Sequence, residues 1–287
     1  MIAFDFKRQL RPAADHRLYH ISDGDTPTIL QPVRMVSIDT PEKAHYAGKP
    51  ETAQPKLDRC RQLLLDGAYP EIPDGLRRYL LDRLDPDAAA RHIAAGEQAT
   101  SEFDLLLQER LTRPDGSQRP VATIPTGEVI DRYGRMLAYL APWYTGTRSD
   151  PLPRLKADPR RRTFNLDMVA AGWATSFLVY PSLPDNEDLN LLLDEARTAW
   201  SKRRGAWKAH GRTLLLGYEY RLAIKLGTIS SPADAMNAAF QRVCVDLRTL
   251  RPLGLYGWWA TPPPERLWIW TTDTDQAAYD LGIELTR

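Results

Sequence analysis

A chain of 287 residues, 43% hydrophobic and 26% charged, is long enough for one large domain or two small ones and can bury a core without staples. Its 38 Lys and Arg against 37 Asp and Glu leave a formal charge of +1, which excludes a basic packaging protein, so any grip on nucleic acid has to be local. Cys60 and Cys244 offer neither a disulfide framework nor a zinc pattern, no run approaches ~18 apolar residues, and the first residues lack the apolar stretch of a signal peptide, so a cytoplasmic location without membrane contact is expected.

In chain order, RLYHIS (17–22) reads as a strand running into the turn Asp23-Gly24-Asp25-Thr26. VRMVSI (33–38) reads as a second strand, expected to pair antiparallel with the first, and it ends in Asp39-Thr40-Pro41-Glu42. In an extended segment residues two apart share a face, so Asp23 and Asp25 can present carboxylates to one point, with Gly24 admitting close backbone approach. The same residues are ordinary turn formers. A strand delivering Asp39 and Glu42 beside Asp25 would assemble three hard oxygen donors, which suit Ca²⁺ or Mg²⁺ and not zinc. Equally, Thr40 and Pro41 suit the cap and first residue of a helix.

Residues 50–95 read as helical from their leucine spacing, with Pro55, Pro70, Pro73 and Pro86 expected to break the stretch into short pieces. GEQATSEFDLLLQERL (96–111) predicts a firmer helix, with Ala99, Phe103, Leu106, Leu107 and Leu111 on one face. Residues 119–130 and 135–143 read as strands around the turn IDRYGR, which aims Arg135 from the start of the second strand. A guanidinium is planar, bidentate and always charged, so it suits phosphate. A basic loop follows, with Arg154, Lys156 and Arg160-Arg161-Arg162 as either a solvated surface or a phosphate-tracking patch. Residues 164–172 predict a short helix capped at Gly172, 174–180 a short strand, and 186–208 a charged amphipathic helix. His16 and His20 lack a third metal ligand, and His45 reads as a surface residue.

Taken together and in this order, DGDT at 23–26, RMVSIDTPE at 34–42, GEQAT at 96–100, DRYGRMLAYL at 131–140 and NLDMVAAGWA at 165–174 resemble the staphylococcal nuclease-like (thermonuclease) family. The resemblance covers 17–42, 92–143 and 164–208. It implies an α+β fold: an OB-type five-stranded β-barrel with three helices, here with a helical insertion at 43–95 and a small α+β C-terminal extension. It further implies a Ca²⁺-dependent nuclease, Mg²⁺ being the poorer fit, that cleaves DNA or RNA with low sequence specificity and leaves 3′-phosphate ends. In that pattern Asp25 and Asp39 ligate the ion by carboxylate and Thr40 by its main-chain carbonyl, with Asp23 in the outer shell. Glu42 orients or deprotonates the attacking water, and Arg34 and Arg135 hold the phosphate and its developing charge. Tyr133, Arg132 and Tyr180 would border the nucleotide; Leu178 stands where the family has a second tyrosine.

The insertion at 43–95 follows Glu42 directly and is expected beside the mouth of the site, as a gate, a partner surface or a packed flap. Residues 213–287 are expected to form an accessory domain of unknown role beyond a boundary at Gly211 or Gly217. Their Tyr218, Tyr220, Tyr256, Trp258, Trp259, Trp268 and Trp270 read as core more than as a base-stacking platform, because the segment is not basic. The rival readings are a non-catalytic nucleic-acid-binding module on the same barrel and a protein-interaction factor working through 43–95 and 213–287.

Overall fold

The computed structural model describes residues 17–131, 133–153 and 158–284. His16, Arg132, Arg154 and Lys156 lie outside them. The chain opens with β1 (Arg17–Ile21), β2 (Pro27–Leu30), β3 (Val33–Met35) and β4 (Ile38–Asp39). The turn from Ser22 to Thr26 closes with a backbone hydrogen bond of 3.1 Å, so β1 pairs antiparallel with β2. The pairing of 17–22 with 33–38 expected from sequence does not form. The residues of 27–30 take up that edge, and β3 pairs in parallel with a later strand.

Four helices follow: α1 (Ala44–Ala47), α2 (Pro50–Leu65), α3 (Asp74–Leu81) and α4 (Ala88–Leu111). Pro55 does not break α2, contrary to the sequence reading. It forfeits one intrahelical bond, but the stripe Ala53, Leu57, Cys60 and Leu64 is fully buried at helical spacing. Each such Leu contributes roughly 1.5–3 kcal/mol of burial. The helix expected at 96–111 is the second part of α4, with Phe103, Leu106 and Leu107 half-buried.

Next come β5 (Val121–Ile130), β6 (Met136–Pro142), α5 (Phe164–Ala170), β7 (Thr175–Ser176), β8 (Leu178–Val179), α6 (Asn186–Ser201) and α7 (Ala206–His210). Caps set the starts of two helices: the Thr163 side chain accepts from the Leu166 N–H at α5, and Asp185 accepts from the Asp188 N–H at α6. The last part of the chain holds α8 (Gly217–Thr228), α9 (Pro232–Ala239), β9 (Arg242–Asp246), β10 (Arg251–Gly254), β11 (Arg266–Trp270) and α10 (Thr274–Leu281).

The strands form sheets ordered β1-β2, β3-β6-β5, β4-β7 and β10-β9-β11-β8. The fold is mixed α+β, and among the described residues these sheets are not closed into the expected five-stranded barrel. Ser37, at φ 62, turns the chain between β3 and β4, so β4 leaves the β3 sheet and pairs with β7.

The boundary expected near 212 is crossed by a sheet and a core. β8 pairs in parallel with β11, at Leu178↔Leu267 and Val179↔Trp268. Alternate residues of that sheet serve two cores. Cys244 and Trp268 join Leu57, Leu64, Leu76 and Leu80 on one side, while Val245, Leu267 and Ile269 join Leu166, Leu178 and Leu193 on the other. Of the aromatics read as core, Tyr218, Tyr220, Trp258 and Trp268 are buried in the first core, and Tyr256 and Trp259 pack against it. No helix among the described residues is long and apolar enough to cross a membrane.

Candidate active site

The site begins at the bend between β3 and β4. Asn165 of α5, buried, donates from Nδ2 to the Val36 carbonyl (2.8 Å) and accepts from the Leu140 N–H (3.0 Å), so it pins the bend to β6. The bend lets Arg34 turn back on its own strand end, where Nη2 donates to Asp39 Oδ1 at 3.0 Å. Asp39 is buried, 3% exposed. Beyond it, Pro41 and Glu42 run against α4 at Gly96, where a Cβ would lie 2.5 Å from the Glu42 carbonyl oxygen. The glycine of GEQAT is thus a point of backbone contact between the helix and the active-site segment.

His92, one turn earlier on α4, brackets the same segment. The Glu42 N–H donates to its Nε2 at 2.8 Å, which places the ring proton on Nδ1, and Nδ1 donates to the Leu215 carbonyl at 2.9 Å. The ring is fully buried and stacks on Tyr220 with centroids 3.9 Å apart. Burial pushes its pKa down to about 3, so it is neutral.

Arg221 of α8 completes the cluster. Its Nη2 donates to Asp39 Oδ2 at 2.9 Å and Oδ1 at 3.1 Å, and its Nη1 donates to Glu42 Oε1 at 2.5 Å. Burial alone would raise the Asp39 carboxyl, but Arg221 and Arg34 outweigh it and hold the group below the usual carboxylate range. Burial would likewise lower the Arg221 guanidinium, yet Asp39 and Glu42 hold it above its ordinary value. Helix α8 starts directly on the segment: a Cβ at Gly217 would lie 2.4 Å from the Thr40 carbonyl oxygen and 2.5 Å from Asp39 Oδ2.

The remaining expected residues are distributed as follows. Asp23 and Asp25 sit in the exposed β1–β2 turn, where the Asp25 N–H donates to Asp23 Oδ1 (3.3 Å) and Thr26 Oγ1 donates to Asp25 Oδ1 (3.2 Å). Hydrogen bonding from Thr26 holds Asp23 below its ordinary pKa. No hydrogen bond or ion pair joins these carboxylates to Asp39. Arg135 forks onto Asp131, with Nε at 2.8 Å and Nη2 at 2.6 Å, and lies 5.3 Å from the Tyr133 ring centroid. Tyr133 is exposed, 67%. Arg132 is outside the described residues.

Tyr180 requires a correction. It is buried in the core beside Leu178 and donates its hydroxyl to Asp280, so it is not placed to border a nucleotide. The half-exposed ring beside the cluster is Tyr46, within electrostatic reach of Arg221, Glu42 and Tyr133. Sequence reading missed Tyr46, His92 and Arg221. A signal for Arg221 did exist: YEYRLAIKL carries an arginine in an apolar helix, and a charge in such a setting needs a partner. In the described part of the basic loop, Arg160 pairs with Asp158 and Arg162 with Glu195 of α6.

The Ca²⁺ expected from the resemblance does not fit this arrangement. The ion takes six to eight oxygen ligands. Asp39 Oδ1 already accepts two guanidinium bonds and Oδ2 a third. The space on the Thr175 side of Asp39 is a cavity of about 10 Å³ walled by Trp173, Trp207, Leu214 and Leu216, room for roughly one water. The buried Thr175 hydroxyl there has no hydrogen-bond partner. Among the described residues no three His, Cys, Asp or Glu side chains are grouped to hold a metal.

A family model described as staphylococcal nuclease homologue matches residues 96–209. Comparison with curated proteins gave no match. The matched stretch carries Gly96, Tyr133, Arg135 and Asn165, while Arg34, Asp39 and Glu42 precede it and Arg221 follows it. A match of this type suggests a nuclease or nucleic-acid-binding function, and over residues 96–209 the chain is similar to staphylococcal nuclease homologues.

Proposed function

We propose that the protein is a nuclease that hydrolyses phosphodiester bonds of DNA or RNA with low sequence specificity, leaving 3′-phosphate ends. One observation carries this reading: Arg34, Asp39 and Glu42, eight residues apart at most, are gathered into one cluster through Arg221. Arg34 spends Nη2 on Asp39, and among the described residues its Nε and Nη1 take no other partner. Its side chain is 32% exposed, so these donors can meet a phosphate. Glu42 Oε1 is held by Arg221, while Oε2 takes no bond from the described residues and can accept a proton from water. Arg135, preset by Asp131, supplies a second guanidinium for charge that develops on the phosphoryl oxygens. Tyr46 and Tyr133 offer exposed rings for a base.

A second reading, nucleic-acid binding without cleavage, is favoured by Arg221. Its contacts neutralise Asp39 and Glu42, which removes the repulsion that bare carboxylates would exert on a phosphate. Labelled single- and double-stranded DNA and RNA separate the two when binding and cleavage are followed together. Cleavage that falls ~10²–10³-fold in Arg135→Ala and also falls in Glu42→Gln supports the nuclease. Binding without cleavage supports the second reading. Cleavage at the parent rate in both folded variants refutes the site.

A further inference from the structure

We propose that Arg221 stands in the place of a divalent cation between Asp39 and Glu42, so that this site works without bound Ca²⁺ or Mg²⁺. The activity arm of this proposal rests on the nuclease reading; the ion-binding arm does not.

Charge accounting comes first. Asp39 and Glu42 carry two negative charges, and Arg34 and Arg221 carry two positive ones on the same oxygens. A divalent ion entering here would meet a neutral cluster with two cations already seated, at contact distances where like charges repel strongly in a partly buried site. It would also have to strip guanidinium bonds of 2.9, 3.0 and 3.1 Å from Asp39 to free its oxygens.

Arg221 is not carried on a flap that could swing away. Both ends of α8 touch backbone: Gly217 lies on Thr40, and a Cβ at Gly227 would lie 1.8 Å from the Lys56 carbonyl oxygen. In its middle, Glu219 is fully buried and accepts from the Tyr79 hydroxyl (2.7 Å), the Leu216 N–H (3.1 Å) and Arg266 Nη1 (3.3 Å). Tyr220, Ala223 and Leu226 of the same helix are 0% exposed. His92 ties the Leu215 carbonyl, just before the helix, to the Glu42 backbone. The guanidinium is therefore delivered by one of the most enclosed helices of the molecule onto the ends of β3 and β4.

The carboxylates that would complete a cage are elsewhere. Asp23 and Asp25 bond within their own exposed turn. What Arg221 can do is hold Asp39 and Glu42 in register and keep positive charge at the phosphate mouth, the electrostatic part of a cation's work.

The test uses the full chain. Uptake of ⁴⁵Ca²⁺ is measured by equilibrium dialysis on the parent and on Asp39→Asn, with circular dichroism as the check of folding. Cleavage is followed in parallel with Ca²⁺, with Mg²⁺ and with EDTA. The expected result is no uptake, or equal uptake by both chains, and a cleavage rate that EDTA changes less than about twofold. Arg221→Ala should lower cleavage ~10²–10³-fold without rescue by Ca²⁺, and Arg221→Lys should recover only part of it. Stoichiometric uptake by the parent that Asp39→Asn abolishes overturns the proposal, as does such uptake by the parent if that variant does not fold. Cleavage abolished by EDTA and restored by Ca²⁺ also overturns it. A parent that cleaves nothing under any condition refutes the nuclease reading, and the uptake measurement then decides the role of Arg221 by itself.

Discussion

Acidification from pH 7 to pH 5 is expected to cost the native state about 2 kcal/mol through His92 alone. The ring is fully buried between α4 and the start of α8, and its pKa falls from 6.5 to about 3. Burial is the largest cause; the Leu215 carbonyl and Asp39 act the other way, and Arg221 and Arg91 act with burial. Between these two pKa values the unfolded chain binds a proton that the folded chain refuses. Stability therefore declines as pH drops below about 6.5 and is unaffected by this group at higher pH. Each pH unit in the window costs ~1.4 kcal/mol, and the 1.5 units from 6.5 to 5 give the figure above. At about 2–4 °C per kcal/mol, the parent should lose about 4–8 °C more in melting temperature over that pH range than His92→Gln. Gln keeps an acceptor for the Glu42 N–H and does not titrate, and the carboxylates common to both chains cancel. Melting followed by circular dichroism at pH 7, 6 and 5 is the assay. Parallel pH curves for the two proteins would refute the buried, neutral histidine and with it the bracket that ties Glu42 to Leu215.

Other expectations follow from the same contacts. Gly227→Ala places a Cβ 1.8 Å from the Lys56 carbonyl and should destabilise by ~1–3 kcal/mol despite the better helix propensity of Ala, whereas Gly24→Ala, with nothing within 4 Å, should be near neutral; urea midpoints compare them. Arg135→Lys loses the fork onto Asp131 and should lower nucleic-acid processing at least ~10-fold in the cleavage assay while leaving the melting temperature close to the parent's. Cys60 and Cys244 are both 0% exposed with thiol pKa values pushed up to about 12 by burial, so a thiol reagent should find neither in the native protein and both in denaturant. A chain ending at Gly211 should fail to fold, seen as loss of soluble protein or of cooperative melting, because it strips β11 from β8 and α8 from α2.

Local signals made much of the molecule readable. The turns at 23–26 and 131–135, the strands at 121–130 and 136–142, and α5 with Gly172 at its end follow from short-range turn and cap chemistry. Arg34, Asp39 and Glu42 were readable as a group because they lie within nine consecutive residues, 34–42. The misses are all long-range. That β3 pairs with β6 and not with β1 goes with 27–30 occupying the edge of β1. Tyr180 matched a motif position but lies in the core just after β8, whose pairs with β11, Leu178↔Leu267 and Val179↔Trp268, are 89 positions apart. Pro55 looked like a breaker because its cost is local, whereas the burial that offsets it comes from α8.

Arg221 shows how charge links the two sides of position 212. Its guanidinium and the Asp39 carboxylate are 182 residues apart, and each is a charge withdrawn from water that is tolerable only because of the other. Removing one partner of such a pair leaves an uncompensated buried charge at a cost of ~3–5 kcal/mol, a large share of the net stability of an ordinary domain. Glu219 of α8, 0% exposed, is neutralised within its own segment by Arg266 of β11 and takes a further hydrogen bond from Tyr79 of the helical insertion. The segment carrying Asp39 and Glu42, which precedes the matched stretch, and the C-terminal segment therefore each hold charges that the other neutralises. The proposed site draws its acidic residues from the segment before the matched stretch and the arginine that neutralises them from the segment after it, so the C-terminal segment is part of the electrostatics of that site.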